Sequence, residues 1–342
     1  MRPDEANDAG ISRKPRLEFP GACYHVINRG NYRRDLFGKP GTAGSFEKTL
    51  LEACDRFGWR LHAFVIMRNH FHLAVALTEP NLAVGMKWLQ GTFATRFNRY
   101  FKQVGRPFQG RYQALMVEPG EHLGQVCHYI HLNPVRAHLV PAEGAAEYRW
   151  SSLFWYKDRD RPACLEPDEL LSAAGGLADS KAGWGKYAEY LAWLATDGPA
   201  QKQAAFDRMC KGWCIGSAEY RGALLKDLAA MEGRLESLPL RALGAQRDLW
   251  REHREQKWAQ SLERILAVLR LDLRGLPAGK CAPEKVRVAA LMRATTSVSN
   301  GWLAERLTMG RAATVSQCVR RFRLVHGEQT ADYVQALSRV NT

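Results

Sequence analysis

At 342 residues the chain is long enough for two or three domains, each with its own core. Its formal charge of +14, from 49 Lys and Arg against 35 Asp and Glu, is what a polyanion-binding protein carries, although a merely basic soluble protein could carry it too. The first ten residues lack an apolar signal core and no run is long enough to cross a bilayer, so the expectation is a soluble, cytoplasmic protein with no membrane partner. The 8 cysteines form no CxxC pair, and only Cys210 and Cys214 are neighbours, which argues against a zinc site and for reduced, buried thiols.

Residues 1–16 read as a disordered lead-in ending in the basic run Arg13-Lys14-Pro15-Arg16. A first strand is expected over 22–28, closed by Arg29-Gly30-Asn31. Phe46, Leu50, Ala53, Cys54 and Phe57 recur at helical spacing, and Gly58 is placed to end that helix. Two strands follow, at about 60–67 and 70–78, joined at Arg68-Asn69. A long helix over about 81–103 has Leu82, Met86, Leu89, Phe93 and Phe97 on one face, and a further strand runs from 112 to 118. The segment Leu123–Asn133 projects as a helix with Leu123, Val126, Cys127 and Ile130 in one apolar stripe, and Pro134 should end it. This order of elements is that of a split βαβ, ferredoxin-like α+β domain with an antiparallel sheet and its helices on one face.

The remaining boundaries are softer. The first folded domain is expected to occupy 17–157, followed by a mainly helical accessory region over 158–250 in which nothing carries obvious chemistry. A last helical domain is expected over 251–342: Trp258, Leu262, Ile265, Leu266 and Leu269 are helically spaced, and Pro283 is well placed to start another helix. Within it, Ser299–Arg323 has helix-turn-helix form, with the turn at Thr308-Met309-Gly310. Arg311, Thr314, Gln317, Arg320 and Arg321 would face outward, as residue types able to reach bases and phosphates. A plain three-helix bundle with a basic surface fits the same pattern.

The chemistry concentrates in Asn69-His70-Phe71-His72-Leu73. In a strand, His70 and His72 share one face while Phe71, Leu73, Val75 and Leu77 share the other. Two imidazoles on one face can chelate a divalent metal. Downstream, Tyr129 and Asn133 are four residues apart on the helix and lie one above the other, near His122. They would offer a hydroxyl nucleophile and a neutral oxygen ligand together. For an isolated tyrosine, the plainer account is a ring on the core with a wet hydroxyl.

Four segments resemble a known family in order and spacing: Tyr24-His25-Val26 with Arg29-Gly30-Asn31, Met67-Arg68-Asn69-His70-Phe71-His72, Phe108-Gln109-Gly110-Arg111-Tyr112, and Tyr129 through Ala137. They are similar to HUH-type single-tyrosine transposases, nearest the REP-associated tyrosine transposase branch, over about residues 13–157. The resemblance implies His70 and His72 as metal ligands, Asn133 at the place of the third ligand, and Tyr129 as nucleophile. It implies Mg²⁺ or Mn²⁺ as cofactor and single-stranded DNA beside a hairpin or REP-like repeat as substrate. It further implies a 5′-phosphotyrosyl intermediate and action as a monomer or a homodimer.

Other residues stay open between two accounts. His25 sits at a family-like position, yet a hydrogen-bonded core histidine fits equally, and His62 reads as structural. Arg96, Arg99 and Arg111, with Lys102 and Arg106, are interleaved with Phe97, Tyr100, Phe101 and Phe108. That mixture suits a single-stranded DNA path, as do Arg13, Lys14 and Arg16, or else an ordinary solvated helix face. Two rival functions share the fold: a DNA-binding regulator without catalysis, and a metal-dependent nuclease that uses water and leaves Tyr129 a spectator.

Overall fold

The alternation around the two histidines is realised as neighbouring strands. In the computed structural model, which describes residues 17–158, 160–232 and 247–325, β1 (Cys23–Arg29) lies between β3 (His70–Ala76) and the later β4, with α1 (Thr42–Phe57) and β2 (Arg60–Ile66) between β1 and β3 in the chain. Then come α2 (Leu82–Phe101), β4 (Gln113–Val117) and α3 (Glu121–His131). After them the chain forms α4 (Asn133–Arg136), α5 (Ser152–Tyr156), α6 (Asp168–Ala173), α7 (Lys181–Thr196), α8 (Gly198–Gln203), β5 (Cys214–Ile215) and α9 (Ala218–Glu232). The strand order is β2-β3-β1-β4-β5. The first four strands pair antiparallel, whereas β5 joins β4 in parallel, so the expected antiparallel sheet is a mixed one.

The register sets the two faces. Ile27 is opposite His72 and Arg29 opposite His70, so β1 and β3 put these four side chains on one face. The other face carries an aromatic core: the Phe46 ring lies 4.6 Å from that of Phe71 and 5.3 Å from that of Phe93, which seats α1 and α2 there. Helix α3 occupies the histidine face, with the Tyr129 ring 5.9 Å from that of His72. The expectation of helices on one face is thereby corrected: both faces are covered, because α3 buries its Leu123, Val126, Cys127 and Ile130 stripe against the side that α1 and α2 leave open.

Pro134 does not end the helical path. α3 gives way directly to α4, with Leu132 in helical geometry, because a proline at the start of the new turn forfeits only one N–H. The accessory region is likewise not a separate body. The chain divides into two compact units at 250/251, and residues 160–232 belong to the first. β5 extends the sheet, α6 packs on α3, and α7 supplies Tyr187. A Cβ at Gly124 would overlap the Ala173 methyl and the Glu169 carbonyl, so the absence of a side chain there is what lets α3 and α6 approach. The Tyr187 hydroxyl lies within hydrogen-bond distance of both rings, 3.0 Å from His128 Nδ1 and 2.9 Å from His131 Nδ1. His131 Nε2 reaches Ser152 Oγ at 2.8 Å.

The second unit contains most of α10 (Arg247–Leu269), α11 (Pro283–Thr295), α12 (Asn300–Arg306) and α13 (Ala312–Val325). Ser299 caps α12 by accepting from Trp302 N, and Thr308 and Gly310, both at positive φ, shape the turn before α13. Lys285 is buried and donates to Thr308 Oγ1 at 2.8 Å, bracing that turn. The expectation of reduced cysteines fails here: Cys281 and Cys318 form a disulfide across a Cα separation of 6.4 Å. Their sequence separation of 37 conceals that proximity, and Cys23, Cys54, Cys127, Cys164 and Cys210 are free thiols.

Burial pushes His128 and His131 each down to about 3, so both are neutral in the fold but take up protons near 6.5 when unfolded. Stability is therefore full above about pH 6.5 and is lost progressively as the pH falls towards 3, at up to about 1.4 kcal/mol per pH unit for each group. Thermal unfolding of the whole chain should show a clearly lower midpoint at pH 5 than at pH 7.5, and an unchanged midpoint would contradict the neutral network. Gly124→Ala should lower stability by about 1–3 kcal/mol in chemical denaturation, through overpacking between α3 and α6.

Candidate functional site

The histidine face of the sheet and the exposed side of α3 enclose a cavity of about 450 Å³, lined by His70, His72, Tyr129, Asn133, Arg29 and Arg111, among others. Its geometry starts with the two imidazoles. His25 Nδ1 faces the Met209 carbonyl at 2.8 Å, so it carries the proton, and His25 Nε2 accepts. His72 Nδ1 lies 2.9 Å from His25 Nε2 and must donate, which leaves the lone pair of His72 Nε2 free. Asn69 Nδ2 donates to the Arg33 carbonyl at 3.3 Å, turning Asn69 Oδ1 towards His70 Nδ1 at 2.7 Å. His70 therefore also keeps Nε2 unprotonated.

Burial holds both imidazoles neutral. His70 is pushed down to about 4 by desolvation and then by Arg29, and His72 is lowered by desolvation and then by the neighbouring His25 and His70. Asn133 adds an oxygen: its Nδ2 donates to the Tyr129 carbonyl at 2.9 Å, and its Oδ1 has no donor among the described residues. Two imidazole nitrogens and an amide oxygen could hold a divalent cation, with phosphate and water completing its coordination. Asn28 on β1, opposite Phe71, lies on the aromatic side of the sheet; its Oδ1 accepts from Arg29 N at 2.7 Å, and its Nδ2 has no partner among the described residues.

Tyr129 is 8% exposed, and its hydroxyl lies 3.2 Å from Cys210 Sγ. Its ring meets the edges of His72, His25 and Phe206, and the Arg136 guanidinium lies 4.9 Å above it. Burial raises the phenol well above its ordinary range and the Cys210 thiol adds to this, while Arg136 works in the opposite direction. Burial also raises the Cys210 thiol. At rest the nucleophile candidate is thus a neutral phenol.

The other sequence-derived residues separate. Arg111 lines the cavity. Arg96 turns onto α1, donating to Thr49 Oγ1 at 2.7 Å and Glu52 Oε2 at 2.8 Å. Arg99 is exposed at the last turn of α2. Arg13, Lys14 and Arg16 lie outside the described residues. On the second unit Arg311, Gln317, Arg320 and Arg321 are exposed, and Thr314 is half-buried. His122 pairs with Glu118 at 3.4 Å, and His62 is buried at the β-bulge of β2. Sequence reading missed Met209, Cys210 and Phe206 at the site, since about eighty residues and no motif separate them from Tyr129. Arg29 and Arg136 lay inside the recognised segments, and their proximity to the histidines or the tyrosine ring is what marks them.

Residues 19–133 match the family described as IS200-like transposases. No curated protein matches. Among solved structures, one of a REP-associated tyrosine transposase bound to a REP hairpin is similar, at 15% identity and a TM-score of 0.36, covering 47% of this chain and 93% of that one.

Replacing His25 removes the acceptor that orients His72 without touching the free nitrogen. His25→Ala should weaken Mn²⁺ binding about 10–100-fold by isothermal titration while leaving the folded circular dichroism spectrum in place. Equal affinity in wild type and variant would remove His25 from the site.

Proposed function

We propose that the chain is a divalent-metal-dependent, single-tyrosine DNA endonuclease and strand transferase of the REP-associated type, acting on single-stranded DNA beside hairpin-forming repeats. One observation carries this reading: a tyrosine hydroxyl, two imidazoles with free Nε2 atoms and an amide oxygen converge on one cavity that also holds Arg29 and Arg111. A site for a neutral metabolite would not need two guanidinium groups, whereas a phosphodiester does. The match to IS200-like transposases over 19–133 supports the same reaction class.

In this reading His70, His72 and Asn133 hold Mg²⁺ or Mn²⁺, which when bound withdraws charge from the non-bridging phosphate oxygens. Arg29 and Arg111 orient the phosphate. Tyr129 Oη loses its proton and forms a bond to phosphorus as the bond to the 3′-oxygen breaks, and that oxygen leaves as a 3′-hydroxyl. The product is a 5′-phosphotyrosyl strand. Because one ester replaces another, a second 3′-hydroxyl can reverse the step onto a new partner without external energy. The raised phenol requires activation when DNA and cation bind, and Arg136 over the ring favours the anion. Tyr129 stands beside His72 of its own chain, which supports a site complete in a monomer. The exposed Arg311, Gln317, Arg320 and Arg321 of the second unit would hold duplex DNA or a hairpin stem.

The contact of the buried phenol with Cys210 favours one alternative, hydrolysis by water with Tyr129 as a spectator. The two readings diverge in a single experiment: incubation with Mn²⁺ and a labelled single-stranded oligonucleotide carrying a repeat hairpin from beside the gene, followed by a denaturing gel. Wild type should form a covalent adduct, and Tyr129→Phe and His70→Ala should lose both adduct and cleavage, by about 10³-fold or more. Cleavage that persists in Tyr129→Phe would establish water as the nucleophile. Binding without cleavage across metals and repeat sequences would instead leave a DNA-binding regulator.

A further inference from the structure

Beside the candidate site lies a second cavity, of about 380 Å³, whose lining includes Tyr32, Arg34, Lys39, Gln103 and Arg106. It adjoins the end of the sheet that carries His70. Gly30 N donates to the Asn69 carbonyl at 2.6 Å, Asn31 N to the Pro107 carbonyl at 2.7 Å, and the Asn69 side chain joins Arg33 to His70. The segment is unusual in its backbone. Tyr32 and Arg33 are consecutive non-glycine residues in the left-handed region, at φ +54° and +57°, a conformation that gathers at binding and catalytic sites.

The side chains have a consistent chemistry. Tyr32 is 82% exposed, so a large ring stands in solvent with both faces available for stacking apart from Arg34, whose guanidinium lies 6.0 Å from its centroid. Lys39 is held over the Phe101 ring at 4.4 Å, which positions its ammonium without neutralising it. The carboxylate in the cavity wall, Asp35, is already taken by Arg68 at 2.6 Å and by Gly38 N at 2.7 Å. Arg34, Lys39 and Arg106 therefore have no carboxylate partner among the described residues. A free aromatic face, three unneutralised cations and the amide of Gln103 match the base, phosphate and hydrogen-bonding edge of a nucleotide.

We propose that this cavity binds one nucleotide of the single strand that continues from the candidate cleavage site, its base stacked on Tyr32 and its phosphate among Arg34, Lys39 and Arg106. The proposal rests on the single-stranded DNA reading above, but its test needs no cleavage. A fluorescein-labelled twelve-residue oligothymidylate is titrated by anisotropy into the full chain in EDTA, in parallel with photocrosslinking of the same oligonucleotide carrying 5-iododeoxyuridine. The expected result is a crosslink mapped to Tyr32, with affinity roughly 5- to 100-fold weaker in Tyr32→Ala and unchanged within about twofold in Tyr32→Phe. Arg34→Ala with Lys39→Ala should flatten the salt dependence of binding by about two phosphate contacts. Tyr32 is exposed enough that its variants should keep the wild-type melting temperature. Crosslinks only elsewhere, with wild-type affinity in Tyr32→Ala, would overturn the proposal even if the Tyr129 adduct forms. A Tyr32 crosslink here, with no Tyr129 adduct in the separate Mn²⁺ and hairpin assay, would uphold the cavity and sink the tyrosine-nucleophile reading.

Discussion

The close seating of α3 on the histidine face of the sheet is the constraint on which the rest depends. A tyrosine on a helix is useful to a phosphate only if its oxygen arrives where two strand histidines point, and neither element sets that distance alone. Three contacts set it here. The bare backbone at Gly124 admits α6, the Tyr187 hydroxyl ties His128 and His131 to α7, and the apolar stripe of α3 is buried against β2 and β3. Each couples α3 to another part of the first unit.

The same packing governs the electrostatics. Burial keeps His25, His70 and His72 neutral, which is the state in which an imidazole can ligate, and the chain from His72 through His25 to the Met209 carbonyl selects the tautomer. Burial also keeps the Tyr129 phenol protonated. The positive charge of the site resides instead in the exposed Arg29, Arg111 and nearby Arg136. A site with neutral imidazoles, a neutral phenol and guanidinium cations attracts an anion.

The stretch between 158 and 232 changes meaning in this light. Read as sequence it is a helical spacer; in three dimensions it adds the edge strand β5, orients His25 through Met209, and places Cys210 and Phe206 around the tyrosine. Through Cys210 this stretch touches the Tyr129 hydroxyl itself.

The histidine pair, the tyrosine with Asn133 one turn later, and the element order of the sheet were legible in the chain because they rest on local periodicities of two and 3.6 residues. So was the turn at 308–310, which depends on neighbours in sequence. Long-range proximity was decided by the tertiary structure alone: the pairing of Arg96 with Glu52, the Cys281–Cys318 bridge, the second covered face of the sheet, and the arrival of Met209 and Cys210 at the site. The physical reason is the same in each case. Residue type and spacing determine which groups share a face of one element, but which elements face one another follows from how all the apolar faces are buried at once.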